Sequence, residues 1–202
     1  YVEKQKEENT NSTIPELVKI IAKEYEDRKV SVSLLNNFFE CPWKWYFRNL
    51  LQLPEAKSES LEFGNAVHSA IEKTLKLKKM PTQKDLEEIT NRDKEVFKIV
   101  ARWVKNRLPE IAPKRENEQS VSVVDDRFPH LSIYGKIDLI ENLGAKEVRV
   151  TDFKTGGVRK KGEIEKKDEE GRMSSYLRQL AMYSYLIEQS PKWKTNVSES
   201  RL

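Results

Sequence analysis

A mixed α/β (α+β) fold, a small mixed sheet flanked by helices, is what this sequence predicts. Three observations carry the prediction. A strong helical period runs through 61–77, where Gly64, His68, Ile71 and Leu75 fall on one face. The period then changes to two: 120–125, 131–141 and 147–154 are rich in β-branched residues and alternate. A helical period returns over 173–189, with Met173, Leu177, Leu180, Ser184 and Ile187 in register. Helices, then three strands, then a helix make one layered α/β unit.

Each element has its own signals. Residues 1–13 have almost no apolar content and read as a linker or disordered terminus. Pro15 suits the first turn of a helix over about 15–28, with Leu17, Ile20, Ile21 and Tyr25 on one side. Ser31 and Ser33 are caps for a short helix over 34–40. Pro42 restarts the chain into an aromatic stretch, 43–51. Pro81 ends the region of the 61–77 helix, and one further helix is expected over 84–108, stopped by Pro109 and Pro113. Gly144 between the last two strands marks an antiparallel hairpin. A charged loop, 156–172, precedes the final helix; Pro191 closes that helix, and Val197 onward has the makings of a further strand.

Composition excludes several classes. Of 202 residues, 37 are Lys or Arg and 33 Asp or Glu, a formal charge of +4. Charged residues are 35% of the chain, against about 25% in an average globular protein. Four Trp, seven Phe and seven Tyr still supply enough large apolar surface for a core. No apolar run approaches the roughly 20 residues of a membrane span, and no signal peptide is visible. A single cysteine excludes an internal disulfide framework and any metal site built from several cysteines of this chain. It fits a reducing compartment, so a cytoplasmic protein is expected. The first residue is Tyr1, which suggests a piece of something longer. A pI near 8.9 permits a polyanionic partner without demanding one.

The chemistry concentrates on Asp138 and Asp152. They lie symmetrically about residue 145, inside the expected turn. A hairpin centred there sets the carboxylates opposite each other, with Cβ atoms roughly 4.5–5.5 Å apart. Two aspartates that close repel, and a hard divalent cation relieves the repulsion. The plainer reading is a pair of strand-end aspartates facing water, with Lys136 as partner. Lys154 favours the first: two residues after Asp152, it shares that face with Val148 and Val150. A cation-binding pair beside an ammonium group suits attack of water on a phosphodiester. His68 on its apolar helix face is either a hydrogen-bonded core residue or a ligand. Gly64, one turn before it, allows another backbone to approach closely. Gln179 and Tyr183 are an i,i+4 pair on the last helix.

Cys41-Pro42, Gly64-x-x-x-His68, Gly135-Lys-Ile-Asp138, Asp152-Phe-Lys154-Thr-Gly156 and Gln179-Leu-x-x-x-Tyr183 occur in this order. Together they resemble the RecB-like branch of the PD-(D/E)xK nuclease superfamily. That branch includes the nuclease domains of RecB and AddB, domains carried by UvrD/Rep-type helicases, and CRISPR-associated exonucleases. The resemblance covers about residues 31–189. It implies a restriction-endonuclease-like core and an N-terminal helical extension. Residues 14–202 then form the nuclease domain, with a helical accessory part over about 14–113 and the catalytic core over about 60–78 and 118–202.

The resemblance also assigns roles. His68, Asp138 and Asp152, helped by the backbone carbonyl of Phe153, correspond to the ligands of Mg²⁺ or Mn²⁺. Lys154 corresponds to the catalytic lysine. Gln179 and Tyr183 correspond to a motif that positions DNA or supports the active site. Glu118 is the nearest candidate for an acidic residue before the first strand. The implied activity is metal-dependent DNA hydrolysis, exonuclease rather than endonuclease, in repair or recombination. DNA and a helicase motor are the implied partners. The alternatives are a catalytically silent DNA-binding module of the same fold and a helical interaction piece without metal or DNA affinity.

Two departures stand out. In iron–sulfur members of the branch, the cysteine of Cys-Pro is one of four cluster ligands. Cys41 is alone here, so a cluster from this chain by itself is not expected: either its partners lie beyond Leu202 or, the favoured reading, Cys41 is a small buried apolar residue. The family fold also continues with strand after Pro191, and here that strand is expected to be nearly absent.

Trp43, Trp45, Tyr46 and Phe47 are expected mainly to pack the accessory helices onto the sheet. Their second reading is stacking of single-stranded bases beside Lys44 and Arg48. The loop 159–172 holds six Lys/Arg and five Asp/Glu. It reads as a solvated loop placed to touch DNA, with Lys160 and Lys161 as candidate contacts. His130 beside Pro129 is expected to be structural or exposed.

Overall fold

The structure is a computed structural model. It describes residues 13–202 except 27, 55, 57, 78, 158, 159, 169 and 170. The expected terminal linker, apart from Thr13, lies outside the described residues.

The N-terminal helices are α1 (Thr13–Tyr25), α2 (Val32–Glu40) and α3 (Pro42–Trp45), the last running into a π-helical turn, Tyr46–Leu50. Ser31 caps α2 by accepting from the backbone N–H of Leu34 at 3.0 Å, and Pro42 opens α3. Ser33 lies inside α2 rather than at its cap. Between α1 and α2 the three residues Lys29–Ser31 form strand β1, which sequence periodicity did not show.

Helix α4 (Glu59–Lys76) buries Val67, Ala70, Ile71, Thr74 and Leu75. The single helix expected over 84–108 is two helices, α5 (Gln83–Ile89) and α6 (Lys94–Asn106). The break is local. Asn91 and Arg92 take positive φ angles of 52° and 60°. Asp93 then caps α6, accepting from the N–H groups of Glu95 and Val96 at 2.9 and 3.0 Å. α5 starts on a capping box between Thr82 and Asp85.

Four more strands build the sheet with β1: β2 (Arg115–Val124), β3 (Ser132–Gly144), β4 (Glu147–Thr151) and β5 (Asn196–Arg201). β2 pairs antiparallel with β3 from Arg115↔Glu141 to Val124↔Ser132, along one edge. The other edge of β3 is shared. β1 pairs parallel at 132–134 and β4 antiparallel at 139–144. β5 pairs parallel with β4. The strand expected to be nearly missing after Pro191 is therefore present and completes the sheet. The charged loop carries a short helix, α7 (Lys161–Glu165), and the final helix is α8 (Ser175–Gln189).

The sheet separates two apolar clusters. On one side Tyr183, Leu186 and Ile187 of α8 pack on Val121, Val123, Ile137, Ile140, Val148 and Val150, with Val32 of α2. On the other, α4, α5 and α6 interlock through Val67, Ile71, Leu86, Val96 and Val100, and Leu139 joins them to the sheet. Gly135 sets how closely α8 approaches. A Cβ there would lie 2.8 Å from Leu186 Cδ1 and 3.0 Å from Tyr183 Cε1.

Candidate active site

The hairpin turns where the sequence predicts. Gly144 (φ 97°), Ala145 and Lys146 take the positive φ angles of a tight turn. Leu139↔Thr151 and Ile140↔Val150 then pair directly. The next step of that register sets Asp138 against Asp152, one residue past the end of β4. Asp152 is 4% exposed and Asp138 9%, so neither faces open water.

Each carboxylate is held by a different element. Asp138 Oδ2 accepts from the backbone N–H of Phe153 at 2.7 Å and lies 3.5 Å from His68 Nδ1. Asp152 Oδ1 accepts from Gln179 Nε2 at 3.1 Å, and Gln179 Nε2 also donates to Tyr183 Oη at 2.9 Å. Asp152 Oδ2 is buried and receives no well-directed hydrogen bond. The Lys154 ammonium lies 2.7 Å from it as an ion-pair partner. Helix α4 thus delivers His68, the hairpin delivers both aspartates and Lys154, and α8 delivers Gln179 and Tyr183. Phe153 faces the α6 side, its ring edge-on to Trp103 at 5.7 Å and to His68 at 6.3 Å.

The electrostatics follow from this crowding. Burial pushes the Asp152 carboxyl above its ordinary pKa; Asp138 adds to the rise, while Lys154 and His68 oppose it. The hydrogen bond to Asp138 raises the His68 imidazole against the opposing effect of burial. Burial, with Asp152 and Asp138 nearby, raises the Tyr183 phenol.

In kind, the donors suit a hard divalent cation. Two carboxylates and an imidazole stand together, and one buried carboxylate oxygen lacks a hydrogen bond. They are not a finished cage. Among the described residues no three His, Cys, Asp or Glu side chains form a ready metal site. Asp138 is turned to the Phe153 N–H and Asp152 to Gln179 and Lys154.

Several sequence expectations are corrected. Gly64 makes room for a side chain rather than a backbone: a Cβ there would lie 3.2 Å from Thr155 Oγ1. Lys136 does not partner the aspartates; it pairs with Glu118. Glu118 itself takes φ 55° inside β2, between residues paired to Leu139 and Ile137, so it stands across from Asp138. Cys41 is exposed, not buried, because it caps the end of α2 at the surface. The aromatic stretch does not pack onto the sheet. Trp43 is 67% exposed and Phe47 45%, while Trp45 stacks on Tyr25. Lys44, Arg48, Lys160 and Lys161 lie on the surface away from the carboxylates' own contacts; Lys44 pairs with Glu40 and Lys161 with Glu165. His130 is exposed.

Sequence reasoning missed the clamp behind the site. Asn36 Nδ2 donates to the Ser175 carbonyl at 3.0 Å, and Arg178 Nε donates to Asn36 Oδ1 at 3.0 Å. These bonds tie α2 to the first turn of α8, one residue before Gln179. Asn36 faces a partner 139 residues away, and no local pattern marks it.

Among the described residues no helix is long and apolar enough to cross a membrane. Comparison with curated proteins finds no match. The family model of the PD-(D/E)XK nuclease superfamily matches residues 29–201, from β1 through β5. With its mixed α/β sheet and flanking helices, the chain belongs to the PD-(D/E)XK nuclease superfamily, whose nucleases generally use divalent metals such as Mg²⁺.

Proposed function

We propose that this chain is a RecB-like DNA exonuclease domain. It hydrolyses phosphodiesters with Mg²⁺ or Mn²⁺ beside a UvrD/Rep-type helicase motor, in cytoplasmic DNA repair or recombination. The observation that best supports the reading is the state of Asp152. It is a buried carboxylate opposite a second one, with one oxygen fixed by Gln179 and the other beside an ammonium group.

His68, Asp138, Asp152 and the backbone carbonyl of Phe153 are the groups that would hold the ion. A divalent cation bound there supplies an activated water and neutralises a phosphate oxygen. The chain's own residues do the rest. Lys154, whose ammonium stands beside Asp152, would stabilise the charge developing on the phosphate oxygens. Gln179 fixes the rotamer of Asp152, and Tyr183 fixes Gln179 in turn. The Phe153 N–H holds Asp138 in place. Lys44, Arg48, Lys160 and Lys161 are proposed DNA contacts, and Glu118 acts by anchoring Lys136. Cys41 would serve as an iron–sulfur ligand only with three cysteines from outside this chain.

The test is digestion of end-labelled linear DNA with Mg²⁺ or Mn²⁺. Stepwise loss from an end, abolished by Asp152→Ala and by Lys154→Ala in folded protein, is the expected result. Variants that cut at the wild-type rate would remove the mechanism. A silent DNA-binding module is favoured by one observation, the lack of a finished cage among the described residues. A calorimetric titration with no Mn²⁺ binding would support that module instead.

A further inference from the structure

The aromatic turn after α2 is built in two columns. Trp43 and Phe47, four residues apart, stack with centroids 5.9 Å apart and planes 23° from parallel. Tyr46 meets both edge-on, at 5.9 Å from Trp43 and 5.3 Å from Phe47. Beside this column, and also four residues apart, stand Lys44 and Arg48. Residues 41–53 contain these two cations and no acid. Trp43 is 67% exposed, Phe47 45%, Leu51 48% and Leu53 51%, so this apolar face is open. An exposed patch of this kind marks a binding surface.

We infer that Trp43 and Phe47 form a stacking platform for single-stranded DNA, with Lys44 and Arg48 tracking its phosphates. Charge decides the occupant. Stacked aromatic rings with two cations on the neighbouring helical column match a flexible polyanion that carries a π-face at every nucleotide. Glu40 holds Lys44 at 2.9 Å, but the pair is exposed and a phosphate can displace it at little cost. The platform turn includes a π-helical segment, a feature that recurs at functional sites. It is also fixed relative to the carboxylates. α2 leads directly into it, and Asn36 of α2 is bonded to Ser175 and Arg178 of α8, next to Gln179. Arg178 further lies over the Phe39 ring at 5.6 Å. A strand stacked on Trp43 and Phe47 is therefore held at a set place on the body that carries Asp152.

The inference rests on the nuclease reading, since it names that site's substrate as a single strand. The test separates the two. Binding of fluorescent (dT)20 and of a 20-base-pair duplex is measured in EDTA, where no cleavage is read. Trp43→Leu/Phe47→Leu keeps apolar bulk while removing both π-faces. It is expected to weaken (dT)20 binding by about tenfold or more, with duplex binding changed less than about twofold. Lys44→Gln is expected to lower the slope of log K against log[salt] by about 0.7. Single-strand affinity within about twofold of wild type, in a variant with an unchanged circular dichroism spectrum, overturns the proposal. So does unchanged affinity with lost self-association in light scattering, which would make the face a contact between copies. If the leucine pair fails to fold, Trp43→Leu alone is measured, with about fivefold weaker binding expected and wild-type affinity overturning the platform. Failure of wild-type protein to cut DNA with metal present would sink the nuclease reading and leave these binding results legible.

Discussion

Gln179 on α8 donates to Asp152 at the end of β4 across 3.1 Å, and the same amide reaches Tyr183 at 2.9 Å. The bond joins two elements that otherwise meet through apolar packing. It fixes a carboxylate whose pKa burial raises. Gln179→Ala should leave the fold intact and slow metal-dependent cleavage by roughly 10- to 100-fold, the usual cost of losing a group that orients a metal ligand. Tyr183→Phe, which keeps the ring and removes only the acceptor, should cost less. Single-turnover rates at saturating Mg²⁺ check both.

The central hairpin was legible because period two and a turn centred on residue 145 are local facts, and together they oppose Asp138 and Asp152. Lys154 followed from the same period. What was not legible depends on distant partners. β1 is three residues long and exists because Ser132, Ile133 and Tyr134 offer it an edge. The helix over 84–108 breaks at Asn91 and Arg92 although its apolar spacing runs on, since Asp93 supplies a second cap. Cys41 read as buried from its residue type, but it falls at the solvent-facing junction of α2 and α3.

Asp152→Asn should stabilise the metal-free protein while abolishing cleavage. The Asp152 carboxyl is raised above its unfolded value, so its favourable contribution is complete below about pH 4 and is lost as pH rises through the raised value. The amide carries no charge for burial to oppose. A gain of about 1 kcal/mol is expected at pH 7 in EDTA, shrinking toward pH 4. Urea titrations at the two pH values read it directly. An unchanged or lower stability at pH 7 would show that Lys154 already compensates the charge.

Gly135→Ala tests the approach of α8 to β3. The added methyl meets Leu186 Cδ1 at 2.8 Å and the Tyr183 ring at 3.0 Å. Leu186 is fully buried and has little room to turn. Overpacking should cost about 1–3 kcal/mol. Because the ring displaced belongs to Tyr183, activity should fall further than stability alone explains. Cleavage measured well below the variant's melting temperature separates the two effects.

Glu141 is 1% exposed on β3, yet it carries a carboxylate. Its Oε1 accepts from the N–H of Ala112 at 2.8 Å and from Arg149 Nη1 at 3.2 Å. Arg149 also reaches Glu199 of β5 at 2.6 Å, so the group ties three strands to the end of the helical part. Removing only Glu141 leaves the Ala112 amide without its acceptor and the largely buried guanidinium with Glu199 as its remaining carboxylate. Glu141→Ala should therefore destabilise by about 3 kcal/mol. Glu141→Gln keeps an acceptor for Ala112 and should cost less. The double variant Glu141→Ala/Arg149→Ala should lose less than the two single losses added, because no charge is left unpartnered. Additive losses in urea denaturation would mean that Glu199 alone satisfies Arg149 and that Glu141 acts only through the backbone of Ala112.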